Sequence, residues 1–335
     1  TSNAQIDNCI IIGNKNRSSG GGITASNSPT IKITGSLITR NWAESYGGGV
    51  HIYQTPNAIL KNVTISLNKT GRSGNGGGLN VRDSNTELIN CVISGNETTS
   101  SGGGIYYYSG SSSSVLKNCL ISGNTSGGTG GGIFNASSGG LEFYNCTIVS
   151  NKSTAGDGGA IYNSGSSVNI SSSIFWGNSV NPKAKLHKGT NPVHNISPFP
   201  LDITYSNIEM GLETIYPFGE YDETNINSDP LFVTNLDVAY SPSTRGDFRL
   251  LEGSPSINAG DPDAETEDKD LANEDRITAG RIDMGAYEGE VDPMTLPPPK
   301  EYKVDENASP GGNGLTWETA FRFLRDALAI SSQGD

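Results

Sequence analysis

The sequence predicts an all-β solenoid, a stack of short-stranded coils in which no coil is stable alone. Three observations predict it. An asparagine column recurs as Asn14, Asn41, Asn68, Asn96, Asn124, Asn151 and Asn178, spaced by 27, 27, 28, 28, 27 and 27 residues. Apolar residues keep fixed places before it. A glycine run followed by one apolar residue ("GGGI", "GGGV", "GGGL", "GGAI") leads into each next coil at Ile23, Val50, Leu79, Ile105, Ile133 and Ile161. In-phase units of this length bury a continuous core only by stacking on their neighbours.

The elements follow in order. The opening "SNAQIDNCIIIGN" aligns with the internal "PNAILKNVTISLN", so the first residues already belong to a coil. The absence of an initial Met suggests a processed chain or a fragment. Eight residues before each asparagine stands Ile6, Ile33, Leu60, Leu88, Leu116, Phe143 or Ile170, and three before it Ile11, Ile38, Ile65, Ile93, Ile121, Ile148 or Phe175. Between them runs a column of Asn8, Gly35, Asn62, Asn90, Asn118, Asn145 and Ser172, residues that tolerate a left-handed backbone, which predicts a sharp corner. The reading is three strands per coil, with the corner between the second and third. Coils about 4.8 Å apart would stack like on like and let both asparagine columns act as structural ladders.

All four cysteines (Cys9, Cys91, Cys119, Cys146) share the column five before the asparagine, alternating with Ser36, Val63 and Ser173. Small buried thiols are favoured over a disulfide between neighbouring coils.

On these residues the chain resembles the right-handed parallel β-helix proteins of the pectin-lyase-like superfamily, in its bacterial secreted, repeat-containing branch. The resemblance implies a β-helix over 1–211 and an extracellular or cell-surface location. The phrases "INSDPLFV", "GDFRLLEGSPSINAGDP" and "DLANEDRITAGRIDMGAYE" resemble the choice-of-anchor Q type of C-terminal module, placed at 212–289. Residues 290–301 read as a proline-rich linker, three consecutive prolines favouring extended polyproline II. In 302–335, Thr316 suits an N-cap, and Trp317, Phe321, Leu324 and Leu328 form one stripe at helical spacing. It resembles the amphipathic helix that caps the start of such solenoids, here the cap segment of a following β-helix.

Composition narrows function. The net charge is −13, but residues 1–180 hold 7 acids against 10 bases (+3), leaving 28 acids against 12 bases (−16) for the rest. So acidic a second half argues against nucleic acid as partner, and no run is long and apolar enough to insert in a membrane. The acidic run Asp261–Asp270 has calcium-site composition at Asp261, Asp263 and Asp270, with Asp283 as a further candidate, though it lacks EF-hand order; a solvated acidic loop is the alternative. No other cofactor is implied.

Enzymes on this fold act on acidic polysaccharides with clustered carboxylates. No two of the seven acids in 1–180 share a column in adjacent coils, so no catalytic residue is assigned. Two outward columns carry aromatics instead: His51, Tyr106, Phe134 and Tyr162, and two residues further on Tyr53 and Tyr108. An exposed aromatic face suits sugar rings or a protein surface; a ladder that only stabilises the coils is the alternative. The sequence thus suggests an extracellular, non-enzymatic structural or adhesive module, with a secreted polysaccharide-binding or polysaccharide-degrading (lyase-like) protein as the alternative. Its expected partners are copies of itself head-to-tail, flanking tandem units, or a surface polysaccharide.

Overall fold

In the computed structural model, residues 3–180, 193–195, 197, 199, 201–209, 222–264, 266–277 and 280–289 are described. They form a parallel β-solenoid with four sheets running along its axis. Sheet A holds eight strands from Ala4–Asp7 to Leu201–Thr204, and sheet B eight from Ile10–Ile12 to Asn207–Ile208. Sheet C holds seven two-residue strands from Lys15–Asn16 to Ser179–Val180, and sheet D seven from Ile23–Ser26 to Val193–Asn195. Each coil therefore carries one strand more than the three expected. The extra strand, in sheet C, directly follows the asparagine column, and two residues are too few to show an alternation in sequence.

Pairing is in register, so each column meets itself. Ile38, Ile65, Ile93, Ile121, Ile148 and Phe175 face one another in turn across sheet B, all fully buried. The corner between sheets A and B is a single left-handed residue, with φ of 50° at Asn8, 54° at Gly35, 55° at Asn62, 49° at Asn118 and 50° at Ser172.

One coil explains the glycine run. Gly47 sits at φ 61°; a Cβ on Gly48 would lie 2.3 Å from the Gly77 carbonyl oxygen, and one on Gly49 would press the Asn68 amide at 2.9 Å. Conformation, backbone approach and ladder contact each demand the missing side chain in turn.

The sequence period fails after Asn178, yet the coil does not. Val193–Asn195, Leu201–Thr204 and Asn207–Ile208 extend sheets D, A and B in register. This last coil is regular on sheets A and B, with Tyr205 taking the corner at φ 47°. The Ile203 to Ile208 spacing repeats that of Ile170 to Phe175.

Residues 222–289 fold back along the outside of sheet B. An antiparallel strand pair joins Phe232–Thr234 to Asp247–Leu250, and Lys269 and Asp275 form an isolated antiparallel bridge. Phe232, Leu236, Phe248, Leu250 and Met284 form a second core with Leu120, Val149 and Ile174, which point outward from sheet B. Burial on this scale stabilises the docked strap by roughly 25 cal/mol per Å² of apolar surface removed from water. Polar ties fix its path: Ser243 N–H donates to the Gly123 carbonyl, Gly285 N–H to the Ser172 carbonyl, and the Asn118 amide to the Lys269 carbonyl. The proline-rich linker and the cap residues Trp317, Phe321, Leu324 and Leu328 lie outside the described residues.

Candidate binding face

The asparagine column builds an internal rail. Asn68 donates its backbone N–H (2.9 Å) and its amide (3.1 Å) to the side-chain oxygen of Asn96, and its amide also to the Ile38 carbonyl (2.9 Å). The pattern runs from Asn14 through Asn41, Asn68, Asn96, Asn124 and Asn151 to Asn178. Every interior amide therefore gives and takes two hydrogen bonds, which makes burial affordable. The corner asparagines behave differently. No hydrogen bond joins Asn8, Asn62, Asn90, Asn118 and Asn145 to one another among the described contacts, because the left-handed corner turns their side chains outward. Asn118 and Asn145 reach the strap at the Lys269 and Asp283 carbonyls. A second rail, unmarked in the sequence period, joins Asn135, Asn163 and Asn195 at 2.8 Å.

All four thiols are free. Cys91, Cys119 and Cys146 are buried in the core; Cys9, in the first coil, is exposed and departs from the interior column expected of it. Burial raises the Cys119 thiol well above its ordinary pKa.

Sheet D carries the aromatic face. Tyr106 and Phe134 stack at 4.7 Å between centroids, Phe134 and Tyr162 at 5.4 Å, and Tyr162 and His194 at 5.2 Å, with planes within 14°. In-register pairing forces this: one ring per coil brings rings to about the strand spacing. His194 was hidden from the sequence by the broken period; it also lies 3.9 Å from the Asp157 carboxylate. The face is less exposed than the columns suggested, since each ring shields the next. His51 retains 8% of its surface, and of the six predicted binding residues only Tyr108, at 42%, counts as exposed. Tyr53, Tyr106, Phe134 and Tyr162 are half-buried and present edges to solvent.

Residues 70–196 match the family model for the right handed beta helix region. The match covers the coils that carry most of the aromatic stack. No curated protein matches the chain.

Within this β-helix the electrostatics of the face are mild. Burial lowers the pKa of His51, and its Nδ1–H donates to the Asn80 side-chain oxygen at 3.0 Å. Burial and the neighbouring Tyr108 and Tyr46 phenols raise the Tyr106 pKa. These groups are neutral near pH 7 and suit stacking and neutral hydrogen bonds.

A second concave region lies on sheet A. Glu87 and Glu142 share a column two coils apart, and the strap sets Asp261 and Asp263 beside them. With Lys117 and Tyr144 they line a recess of about 400 Å³. Column alignment alone missed this grouping because the strap supplies half of it. The metal candidates are thereby divided. Asp283 accepts the N–H groups of Asn258 and Gly289, and Asp270 those of Glu274 and Glu288, so both carboxylates clamp turns away from Asp261 and Asp263. Among the described residues no group of three or more His, Cys, Asp or Glu side chains is placed to hold a metal ion.

Proposed function

We propose that the chain is an extracellular, non-catalytic β-solenoid module with a structural and adhesive role. The rod acts as a spacer in series with copies of itself or flanking units, and sheet D is its docking face. The observation that carries this reading is the outward ring stack from Tyr106 to Tyr162, continued by the buried His194, whose interval matches the coil repeat. A flat-faced ligand laid along the axis meets the same chemistry at every step, the condition for gripping an extended polymer or a partner surface. Retention on a panel of insoluble polysaccharides and of protein-coated surfaces tests it. Replacing Tyr106, Phe134 and Tyr162 by Ser is expected to lower retention on at least one surface about tenfold; unchanged retention everywhere overturns the docking role.

One observation favours a second reading, action on polysaccharide. The recess of Glu87, Glu142, Asp261 and Asp263 gathers the carboxylates such chemistry uses. Burial and the adjacent Glu142 raise the pKa of Tyr144, whose hydroxyl donates to Glu142 at 3.1 Å. Release of reducing ends from polysaccharides, abolished by Glu142→Gln, would establish it in place of the first reading.

A further inference from the structure

The aromatic face is interrupted in one coil. Where the flanking coils carry His51 with Tyr53 and Tyr106 with Tyr108, the coil between them carries Asn80 and Arg82. The smaller Asn80 leaves a recess of about 270 Å³, lined by Tyr46, Asn75, Asn80, Arg82, Tyr106 and Tyr108. The flat guanidinium of Arg82 lies 5.5 Å from the Tyr53 ring and 5.7 Å from the Tyr108 ring, paving the floor between them. The result is a shallow groove along the axis, with phenols at both ends and amides and a cation in the middle.

We infer that this groove takes the proline-rich segment Leu296–Glu301 of a second copy of the chain. The inference rests on the docking reading of sheet D. The fit begins with distance. Tyr53 and Tyr108 stand two coils apart, about 9.6 Å at the ordinary strand spacing. A polyproline II chain advances about 9.3 Å per three-residue turn, so residues i and i+3 fall on the two phenols in phase. Chemistry agrees: such a chain leaves its carbonyls without internal partners, and aromatic grooves with neutral donors recognise it. Asn75 and the tyrosine hydroxyls supply such donors, whereas Asn80, 1% exposed, gives its amide to the Asn75 carbonyl.

Charge does not oppose it. Within Leu296–Glu301 the charges are Lys300 and Glu301, which cancel, with Glu290 and Asp292 upstream. Arg82, its side chain 44% exposed, is the cation in the groove, 3.6 Å from the Asp83 carboxylate. A second copy is the source because of where the described chain leads. Around Gly289 it is tied to Asp283, beside Asn145 and Gly285 at the corner of sheets A and B. Residues 290–295 span at most roughly 20 Å when fully extended. Crossing sheet A to sheet D and passing one coil to Tyr108, or three to Tyr53, would use most or all of that length, whereas a neighbouring molecule meets no such tether.

Sedimentation of the full chain over a range of concentrations tests this. The expected result is reversible self-association, weakened at least tenfold by Pro297→Ala, Pro298→Ala and Pro299→Ala together, weakened equally by Tyr53→Ala with Tyr108→Ala, and reversed by a synthetic 290–301 peptide. The proline variant lies outside the described fold and carries the test alone should the tyrosine variant misfold. A chain monomeric at every concentration, or association indifferent to the prolines, overturns the inference. So does an oligosaccharide that saturates the recess while self-association persists without Tyr53 and Tyr108. A monomer that still adheres through Tyr106, Phe134 and Tyr162 would leave the docking role standing and remove only this partner.

Discussion

The asparagine rail and the charged cluster of the strap both bury polar side chains, and they do so by opposite means. In the rail every coil repeats one neutral amide whose donors and acceptors close on the coils above and below. In the strap Arg276 is 1% exposed, facing Glu288 across 3.2 Å, with Asp270 and Asp283 buried nearby. Three carboxylates thus surround one guanidinium, and burial pushes the Glu288 carboxyl up to about 8. Translation satisfies hydrogen bonds at no cost in charge; a single irregular turn must bury ions to hold its shape. The difference teaches that the solenoid is robust to pH and repeats cheaply, while the strap is a one-off fastening.

The largest expected effect breaks the rail. Asn96→Leu takes the shared acceptor from the Asn68 N–H and amide, and one donor each from the Ile65 carbonyl and the Asn124 side-chain oxygen, in a buried interior. A loss of about 3–5 kcal/mol is expected from denaturant unfolding, as several buried groups each forfeit about 1–3 kcal/mol. A loss under 1 kcal/mol would mean water enters the rail.

A pH series sharpens the other side. Glu288 has a folded pKa of about 8 against an ordinary 4.5, so the folded strap holds a proton that the unfolded chain releases. Stability from this group is full below pH 4.5 and declines as pH rises toward 8. Glu288→Gln does not titrate, so its stability relative to the parent is expected to grow across that window, then level off. A constant difference between pH 5 and 9 would show that Arg276 holds Glu288 ionised throughout.

Asn118 links the two regions. Asn118→Val is expected to cost about 1–3 kcal/mol, from left-handed strain at φ 49° plus the lost bond to the Lys269 carbonyl. Asn62→Val carries the strain with no strap contact recorded for its side chain, so a smaller loss there isolates the tie; equal losses would assign the whole cost to the corner. The smallest effect belongs to the surface. Lys69 meets Glu97 at 2.9 Å, yet both are substantially exposed, and Lys69→Ala should change stability by about 0–1 kcal/mol. A larger loss would place that pair among the structural ties.

How much was legible depends on whether a feature repeats. Ile38, Asn41 and Asn62 announce themselves because the same side chain returns in every coil, and their columns convert directly into core, rail and corner. Sheet C escaped because a two-residue strand leaves no alternation. His194 and Tyr205 escaped because residues inserted after Val180 shift the count, although the Ile203 to Ile208 interval was available. The strap was opaque for a different reason. Its contacts, such as Leu236 with Val149 or Asp261 beside Glu142, are made once, over separations no period can index. Even so, outward apolar residues flanking the core isoleucines, Leu120 and Val149 among them, were a signal that sheet B is covered.

The strap also changes how the rod bears tension. Between coils the backbone bonds point along the axis, as from Leu120 N–H to the Cys91 carbonyl, so an axial pull stretches each rung end-on and peels coils away singly. From Gly123 to Ser172 the strap crosses several coils laterally, through Ser243, Leu236, Lys269 and Gly285. Extension there must drag those contacts sideways together, in shear. The coils before Lys61, the first residue the strap reaches through Glu267, are consequently more compliant than the splinted coils after it, and under load the described coils yield from the first toward the second.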